Sequence, residues 1–171
     1  EFSINNSDVV TAVSNSLKET TTKLFNITKE IKVIYNFIDT QKYDNAHKEE
    51  CKRFALAKPH ERIFTHVSNF RPVKRVEDVV RIFHEVRKEI PSKLLMIGEG
   101  PERAKAEKLV KELNISEDVF FLGNSTEVTK ILCYTDIFLL PSQTESFGLA
   151  ALEAMAAGTA VISTNTGGLP E

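Results

Sequence analysis

The sequence predicts an α/β fold, an open parallel sheet with helices on both faces. Two observations predict it. Short apolar segments alternate with amphipathic ones along most of the 171 residues. Residues 137–140, Ile-Phe-Leu-Leu, are continuously apolar, as a parallel strand covered on both faces is expected to be. Right-handed crossovers turn such a repeated βα order into an open parallel sheet.

The amino-terminal part predicts two strands and one helix. Residues 9–13 and 31–35 are short apolar segments, and Ser14 is suited to cap a helix that runs to about residue 25. A polar connection follows at residues 36–44, which we interpret as the region of an interdomain hinge.

The rest of the chain alternates regularly. We expect strands at residues 63–67, 94–97, 119–122, 137–140 and 160–163. We expect helices at residues 47–57, 76–90, 102–113, 127–134 and 145–157. The helix at 76–90 has the clearest pattern, because apolar residues recur at near-3.6 spacing and should face the core: Val76, Val79, Val80, Phe83, Val86 and Ile90.

Composition and charge exclude several classes of function. The chain is 42% hydrophobic and 27% charged, and it lacks an apolar run of the roughly 18 residues that a membrane span needs. A net charge of −2 argues against a broad nucleic-acid surface. The chain has no initiator methionine or signal peptide and begins inside what resembles a folded segment, so we expect a fragment of a longer, cytoplasmic protein.

The sequence predicts no metal site. Cys51 and Cys133 lack metal-ligand spacing, and we interpret both as reduced structural thiols. The four histidines are scattered along the chain, without a His-x-x-x-His pair: His47, His60, His66 and His84.

A pair of glutamates frames the segment after the strand at 137–140. Glu145 and Glu153 are eight positions apart, which is about 2.2 helical turns. Between them, Ser146, Phe147, Gly148 and Leu149 offer backbone N–H groups at a helix start, where anions bind. This arrangement suits a ribose, a diphosphate and a sugar, although a solvated glutamate pair at a helix start has the same spacing.

Three cations follow the strand at 63–67, in the loop that begins at Ser68 and Asn69. We expect Arg71, Lys74 and Arg75 to lie at the same edge of the sheet as the glutamates, because parallel strands end together. Cations beside a helix amino terminus are unfavourable unless an anion offsets them. A basic loop without a ligand is the alternative.

Two further segments are weaker candidates. Gly98 and Gly100 allow close backbone approach, but Arg103 replaces the third glycine of a dinucleotide-binding motif. Phe120, Phe121 and Leu122 suit either a core strand or contact with a base.

Together these segments resemble the family 4 retaining glycosyltransferases, which have two Rossmann-like domains in the arrangement called GT-B. The resemblance is carried, in order, by residues 33–39, 67–75, 98–101, 121–123, 145–153 and 167–171. Residues 35–39 and 68–71 are most similar to the branch that transfers N-acetylglucosamine from UDP-GlcNAc to the small hydroxy acid L-malate in bacillithiol biosynthesis. The resemblance implies that residues 1–35 are a remnant of the acceptor domain and residues 36–171 an incomplete sugar-donor domain, so that the fold is truncated at both ends.

The resemblance also implies residue roles. Lys74 and Arg71 would neutralise the departing diphosphate, with Asn69 standing where the family commonly has arginine. Glu153 would hold the ribose and Glu145 the donor sugar. The remaining nucleotide contacts would come from Ser68, Asn69, Gly98, Gly100, Phe121, Leu122, Ser146, Phe147, Gly148 and Leu149.

The implied reaction needs no cofactor and no metal. Its partners are the nucleotide-sugar donor and the hydroxy-acid acceptor, and a homo-oligomer is compatible with the sequence. Two other functions remain open. One is a noncatalytic nucleotide-binding or partner-docking module, and the other is a phosphorylase-like enzyme with pyridoxal phosphate on a lysine.

Overall fold

The computed structural model describes residues 1–43 and 53–171. These residues form two compact units. The first unit comprises residues 1–38, 144–149 and 165–171. The second unit comprises residues 39–143 and 150–164. The predicted boundary between residues 35 and 36 stays a prediction.

The first unit contains a two-stranded parallel sheet. Its elements are α1 (Phe2–Asn5), β1 (Val10–Ala12), α2 (Asn15–Leu24) and β2 (Ile31–Val33). β1 pairs with β2 in parallel, with Val10 opposite Ile31. Ser14 caps α2 as predicted, because its hydroxyl accepts a hydrogen bond from the N–H of Leu17 at 3.0 Å.

The second unit contains a five-stranded parallel sheet. Its elements are α3 (Arg53–Leu56), β3 (Arg62–Val67), a 3₁₀ turn (Pro72–Lys74), α4 (Val76–Val86), β4 (Ser92–Ile97), α5 (Arg103–Glu112), β5 (Val119–Gly123), α6 (Val128–Cys133), β6 (Ile137–Leu140), α7 (Leu149–Ala156, all but its first residue) and β7 (Ala160–Ser163). The strand order is β5-β4-β3-β6-β7, and every neighbouring pair is parallel. The predicted fold class is confirmed.

Both faces of this sheet are covered. Along β4, Leu94 and Met96 belong to one buried cluster, which includes Phe83 of α4 and Leu109 of α5. The intervening Leu95 and Ile97 belong to a second cluster, with Ile131 of α6. Because side chains alternate along a strand, the two clusters lie on opposite faces. This explains why residues 94–97 of β4 and 137–140 of β6 are continuously apolar.

Two predicted helix bounds are wrong. The helix at 76–90 ends at Val86, and Ile90 is 44% exposed rather than buried. Ile90 precedes Pro91, and a residue before proline disfavours the helical region. The helix predicted from Glu145 begins at Leu149, because Gly148 has a φ of 91°, which no right-handed helix contains.

Part of the predicted helix at 47–57 lies outside the described residues, and so do His47 and Cys51. The part of this helix that the structure describes is α3. Cys133 ends α6, and its Sγ lies 3.9 Å from the carbonyl oxygen of Tyr43.

Ion pairs collect where the strands of the larger sheet begin. Asp118, just before β5, is bonded by Lys93 at 2.6 Å and by Arg87. Burial raises the pKa of Asp118, but the Lys93 hydrogen bond and the charges of Lys93 and Arg87 outweigh burial and hold that pKa below its usual range. Asp136, just before β6, is paired with Arg53 at 2.9 Å and with Arg62 at 3.1 Å.

Candidate functional site

The strand order of the larger sheet reverses between β3 and β6. The chain builds β3, β4 and β5 in one direction and then returns to place β6 on the other side of β3. In open α/β sheets, ligands bind outside the carboxyl ends of the strands at such a reversal. The loops that leave β3 and β6 are the two that the sequence singles out.

These two loops are joined directly. The backbone N–H of Gln143, after β6, donates to the carbonyl oxygen of Val73, after β3, at 2.8 Å. Ser142 beside it is fully buried, and its carbonyl oxygen accepts a hydrogen bond from Thr164, after β7, at 2.6 Å. The carboxyl edge of the sheet is therefore fixed by the protein itself.

A buried histidine that the sequence did not single out supports the β3 loop. His66 has no exposed surface, and its Nδ1 lies 2.8 Å from the carbonyl oxygen of Leu139 in β6. A carbonyl can only accept, so Nδ1 carries a proton; in the neutral ring Nε2 then accepts from the Ser68 hydroxyl, 2.8 Å away. Ser68 is thereby oriented by the neighbouring strand. The sequence does contain a signal for this role, because His66 is a polar residue within a strand that is predicted to be buried.

Gly98 and Gly100 pack against the same loop. A Cβ on Gly98 would lie 1.8 Å from the carbonyl oxygen of Ser68, and one on Gly100 would lie 2.1 Å from that of Asn69. The missing side chains are therefore required by contact between two loops of this protein. Sequence reasoning attributed both glycines to the approach of a ligand, which stays a prediction.

The three cations of the β3 loop have different surroundings. Arg75 is paired with Asp78 at 2.5 Å, one turn into α4. Within the described ranges, Arg71 makes no ion pair, and its side chain is exposed. Lys74 is partly buried at the end of the 3₁₀ turn. The predicted contact of Arg71 and Lys74 with an anion stays a prediction.

Glu153 lies one turn inside α7 and is partly buried. Burial raises the pKa of its carboxyl group, and no cation in the described part of the chain lowers it. Glu153 also raises the pKa of Tyr43, as a cause second to the burial of that hydroxyl. Because burial disfavours the charged form of Glu153, its carboxylate is a candidate for accepting hydrogen bonds from a ligand.

Phe121 and Leu122 lie in β5. The Phe121 ring is edge-on to Phe70 at 6.5 Å, and the guanidinium of Arg103 lies 5.6 Å from its centroid. Leu122 is 37% exposed. Phe121 thus contributes to the core, as the structural alternative expected, while a contact with a base stays a prediction.

Glu145, Ser146, Phe147 and Gly148 belong to the first unit, where a second loop holds their backbone. The N–H of Gly168 donates to the carbonyl oxygen of Glu145 at 2.7 Å. The Phe147 ring lies 6.4 Å from that of Tyr35. Because α7 begins only at Leu149, the N–H groups of Ser146 and Phe147 precede the helix rather than forming its first turn.

Residues 1–43 and 53–171 contain neither a membrane-spanning helix nor a cluster of metal ligands. No helix there is long and apolar enough to cross a membrane. Three or more metal-binding side chains do not cluster in those ranges either.

Comparison with known proteins places this arrangement in a family. The family described as glycosyl transferases group 1 matches residues 47–171. The chain is 46% identical over 170 residues to the N-acetyl-alpha-D-glucosaminyl L-malate synthase of Bacillus anthracis, covering 99% of the chain and 45% of that protein. It is 35% identical over 169 residues to an uncharacterized glycosyltransferase of Methanocaldococcus jannaschii, covering 95% and 43%. The chain thus spans about half the length of these relatives.

Solved structures share the fold. Anabaena HepE, in complex with UDP and glucose, superposes with a TM-score of 0.83 at 21% identity, over 95% of this chain and 45% of that one. The sucrose-phosphate synthase of Thermosynechococcus elongatus superposes with a TM-score of 0.79 at 27% identity, over 97% and 43%.

Proposed function

Because this chain belongs to the group 1 glycosyl transferases, we propose that it is the sugar-donor half of a retaining UDP-sugar transferase. We further propose that the whole protein transfers N-acetylglucosamine from UDP-GlcNAc to L-malate. The malate-transferring relative supports this choice, since it matches 99% of the chain at 46% identity.

One observation carries the proposal. The β3 and β6 loops meet at the reversal of strand order, through the bond between Gln143 and Val73, and the β3 loop presents Arg71 and Lys74. A fixed, cationic carboxyl edge suits a nucleotide diphosphate.

The proposed chemistry follows from charge. Negative charge grows on the diphosphate as the bond from sugar to phosphate breaks, and Lys74 and Arg71 stabilise it electrostatically. No metal is then required for this charge. Preorganised cations are effective because they need not reorient during the reaction.

The carboxylates are assigned to hydroxyl groups. Glu153 accepts hydrogen bonds from the two ribose hydroxyls, which offsets the cost of its burial. Glu145 accepts from the hydroxyls of the donor sugar and stabilises positive character at the anomeric carbon. We assign no protein nucleophile, because attack from the face of the leaving group requires none.

Calorimetry of UDP and UDP-GlcNAc, with and without EDTA, tests the sugar-donor site. We expect both ligands to bind in EDTA, and UDP-GlcNAc to bind more tightly than UDP. A strict requirement for Mg²⁺ would overturn the metal-independent assignment. Mass spectrometry of products from the full-length protein with UDP-GlcNAc and malate tests the acceptor. Transfer to another acceptor, but not to malate, would reject that half of the proposal.

A further inference from the structure

The carboxylate of Glu171 lies against the amino end of α2 within the first unit. Its two oxygens accept hydrogen bonds from the backbone N–H groups of Asn15 at 2.8 Å and Ser16 at 2.7 Å. The side-chain amide of Asn15 donates a third bond at 3.0 Å, and the hydroxyl of Tyr35 a fourth at 3.2 Å. All four partners donate, so the position requires a group that accepts at both oxygens.

These bonds complete the cap of α2. Ser14 takes the N–H of Leu17, and Glu171 takes those of Asn15 and Ser16. The first three helical N–H groups, which have no partner inside the helix, are therefore all bonded. The N–H of Ser16, followed by that of Asn15, holds the pKa of Glu171 below its usual range.

The loop that precedes Glu171 touches the segment that carries Glu145. Besides the bond from Gly168 to Glu145, a Cβ on Gly167 would lie 2.1 Å from the carbonyl oxygen of Glu145. A Cβ on Gly168 would lie 2.2 Å from the carbonyl oxygen of Ser146. Backbones in such close contact cannot shift independently.

We propose that Glu171 is a positioning residue, which fixes the loop at 167–168 to the amino end of α2 and thereby fixes the backbone of Glu145. Glu171 itself contacts no substrate in this scheme. The inference rests on the proposed function, because the placement of Glu145 matters only if its carboxylate meets the donor sugar.

Three variants of this chain test the contact. Glu171→Ala removes it, and Glu171→Gln places an amide N–H₂ against at least one backbone N–H. Glu19→Gln is the matched control on α2, because Glu19 is exposed and, among the described residues, pairs only with Lys23, at 3.4 Å. Calorimetry measures UDP and UDP-GlcNAc with each variant.

We expect Glu171→Ala to leave UDP affinity within about twofold and to reduce the extra affinity that the sugar brings by about tenfold. Glu171→Gln should lie between Glu171→Ala and the wild type, and Glu19→Gln should match the wild type. In the full-length protein, Glu171→Ala should lower kcat by at least about tenfold, with the KM for acceptor little changed. Wild-type affinity for UDP-GlcNAc in Glu171→Ala would overturn the inference. Equal losses for both ligands would also overturn it, because the effect of Glu171 would then not depend on the sugar.

A separate readout distinguishes this inference from the proposed function. If the wild type binds no UDP-sugar, the proposed function fails, and hydrogen exchange still reports the contact. The N–H groups of Asn15 and Ser16 should exchange faster in Glu171→Ala than in the wild type, while those of the larger sheet should not. Equal exchange in both proteins would show that Glu171 fixes nothing.

Discussion

Gln143 donates its backbone N–H to the carbonyl oxygen of Val73 at 2.8 Å, which ties the loop after β6 to the loop that carries Lys74. This bond sets the position of the cationic loop without any ligand.

Lys74→Ala should weaken UDP binding by about tenfold or more, since a hydrogen bond to a charged group contributes roughly 1.5–3 kcal/mol. Arg75→Ala is the matched control, because Arg75 is occupied by Asp78 at 2.5 Å. Calorimetry at low and high salt checks both variants, and the loss in Lys74→Ala should shrink at high salt. Equal losses in the two variants would remove Lys74 from its assigned role.

Glu153→Gln should stabilise the unliganded protein and weaken its binding of UDP. Burial raises the pKa of Glu153, so the folded state binds more protons than the unfolded state between the two pKa values, and stability falls as pH rises through that window. The variant avoids this loss, and its gain in thermal stability should be larger at pH 8 than at pH 4. Its UDP affinity should fall by about tenfold, because a charge-assisted bond to ribose is lost. Glu112→Gln, at an exposed carboxylate, should change neither property. Unchanged UDP affinity in Glu153→Gln would exclude the ribose role.

Asp118→Asn should destabilise the fold by about 3 kcal/mol without changing UDP affinity, since it removes the anion of Arg87 and leaves Lys93 only its longer pair with Glu61, at 3.7 Å, among the described residues. The pKa of Asp118 is held low, so its stabilisation is present at neutral pH and is lost as pH falls through the folded-state pKa. In urea unfolding, the difference in free energy of unfolding between the wild type and the variant should therefore be smaller at pH 3 than at pH 7. Glu85→Gln, at an exposed pair with Lys88, is the control and should change stability little. An equal difference at both pH values would contradict this account of Asp118.

Gly98→Ala should cost more stability than Gly158→Ala. Both glycines have positive φ, at 124° and 76°, but a Cβ on Gly158 meets nothing within 4 Å, whereas one on Gly98 lies 1.8 Å from a carbonyl oxygen. The strain of positive φ costs roughly 1–2 kcal/mol, and the contact should add about 1–3 kcal/mol. Urea unfolding of both variants gives the comparison. Equal costs would show that the loop after β3 yields easily.

The 171-residue chain should transfer no sugar by itself. Its relatives are about twice as long, and positioning an acceptor can account for about 7–11 kcal/mol of barrier reduction. Mass spectrometry should detect the product with the full-length protein and not with this chain at equal concentration. Turnover by the chain would show that it holds a complete active site.

Local signals predicted the elements well where they act alone. Ser14 was recognised as a cap, and the strand at 137–140 was predicted at its observed bounds. Predictions were wrong where a neighbouring residue decides where a helix begins or ends, as Pro91 does after Ile90 and Gly148 does before Leu149. The family resemblance, carried by several ordered segments, was confirmed.

Long-range contacts could not be predicted in the same way. His66 bonds a carbonyl 73 positions away, and Gly98, after β4, contacts Ser68, after β3. Nothing in the local pattern specifies such partners. The assigned binding roles of Glu145, Glu153 and Lys74 stay predictions that ligand measurements will decide.

The reversal of strand order also bears on how the protein folds. β3, β4 and β5 pair in chain order, whereas β3 meets β6 only through residues as distant as Phe64 and Ile137. Non-local pairing of this kind is slow, because loop closure precedes the gain in contacts. We expect a partly folded species in which the first three strands have assembled while β6 and β7 have not. Such a species lacks the edge that joins Gln143 to Val73, so recovery of ligand binding should lag behind recovery of secondary structure during refolding.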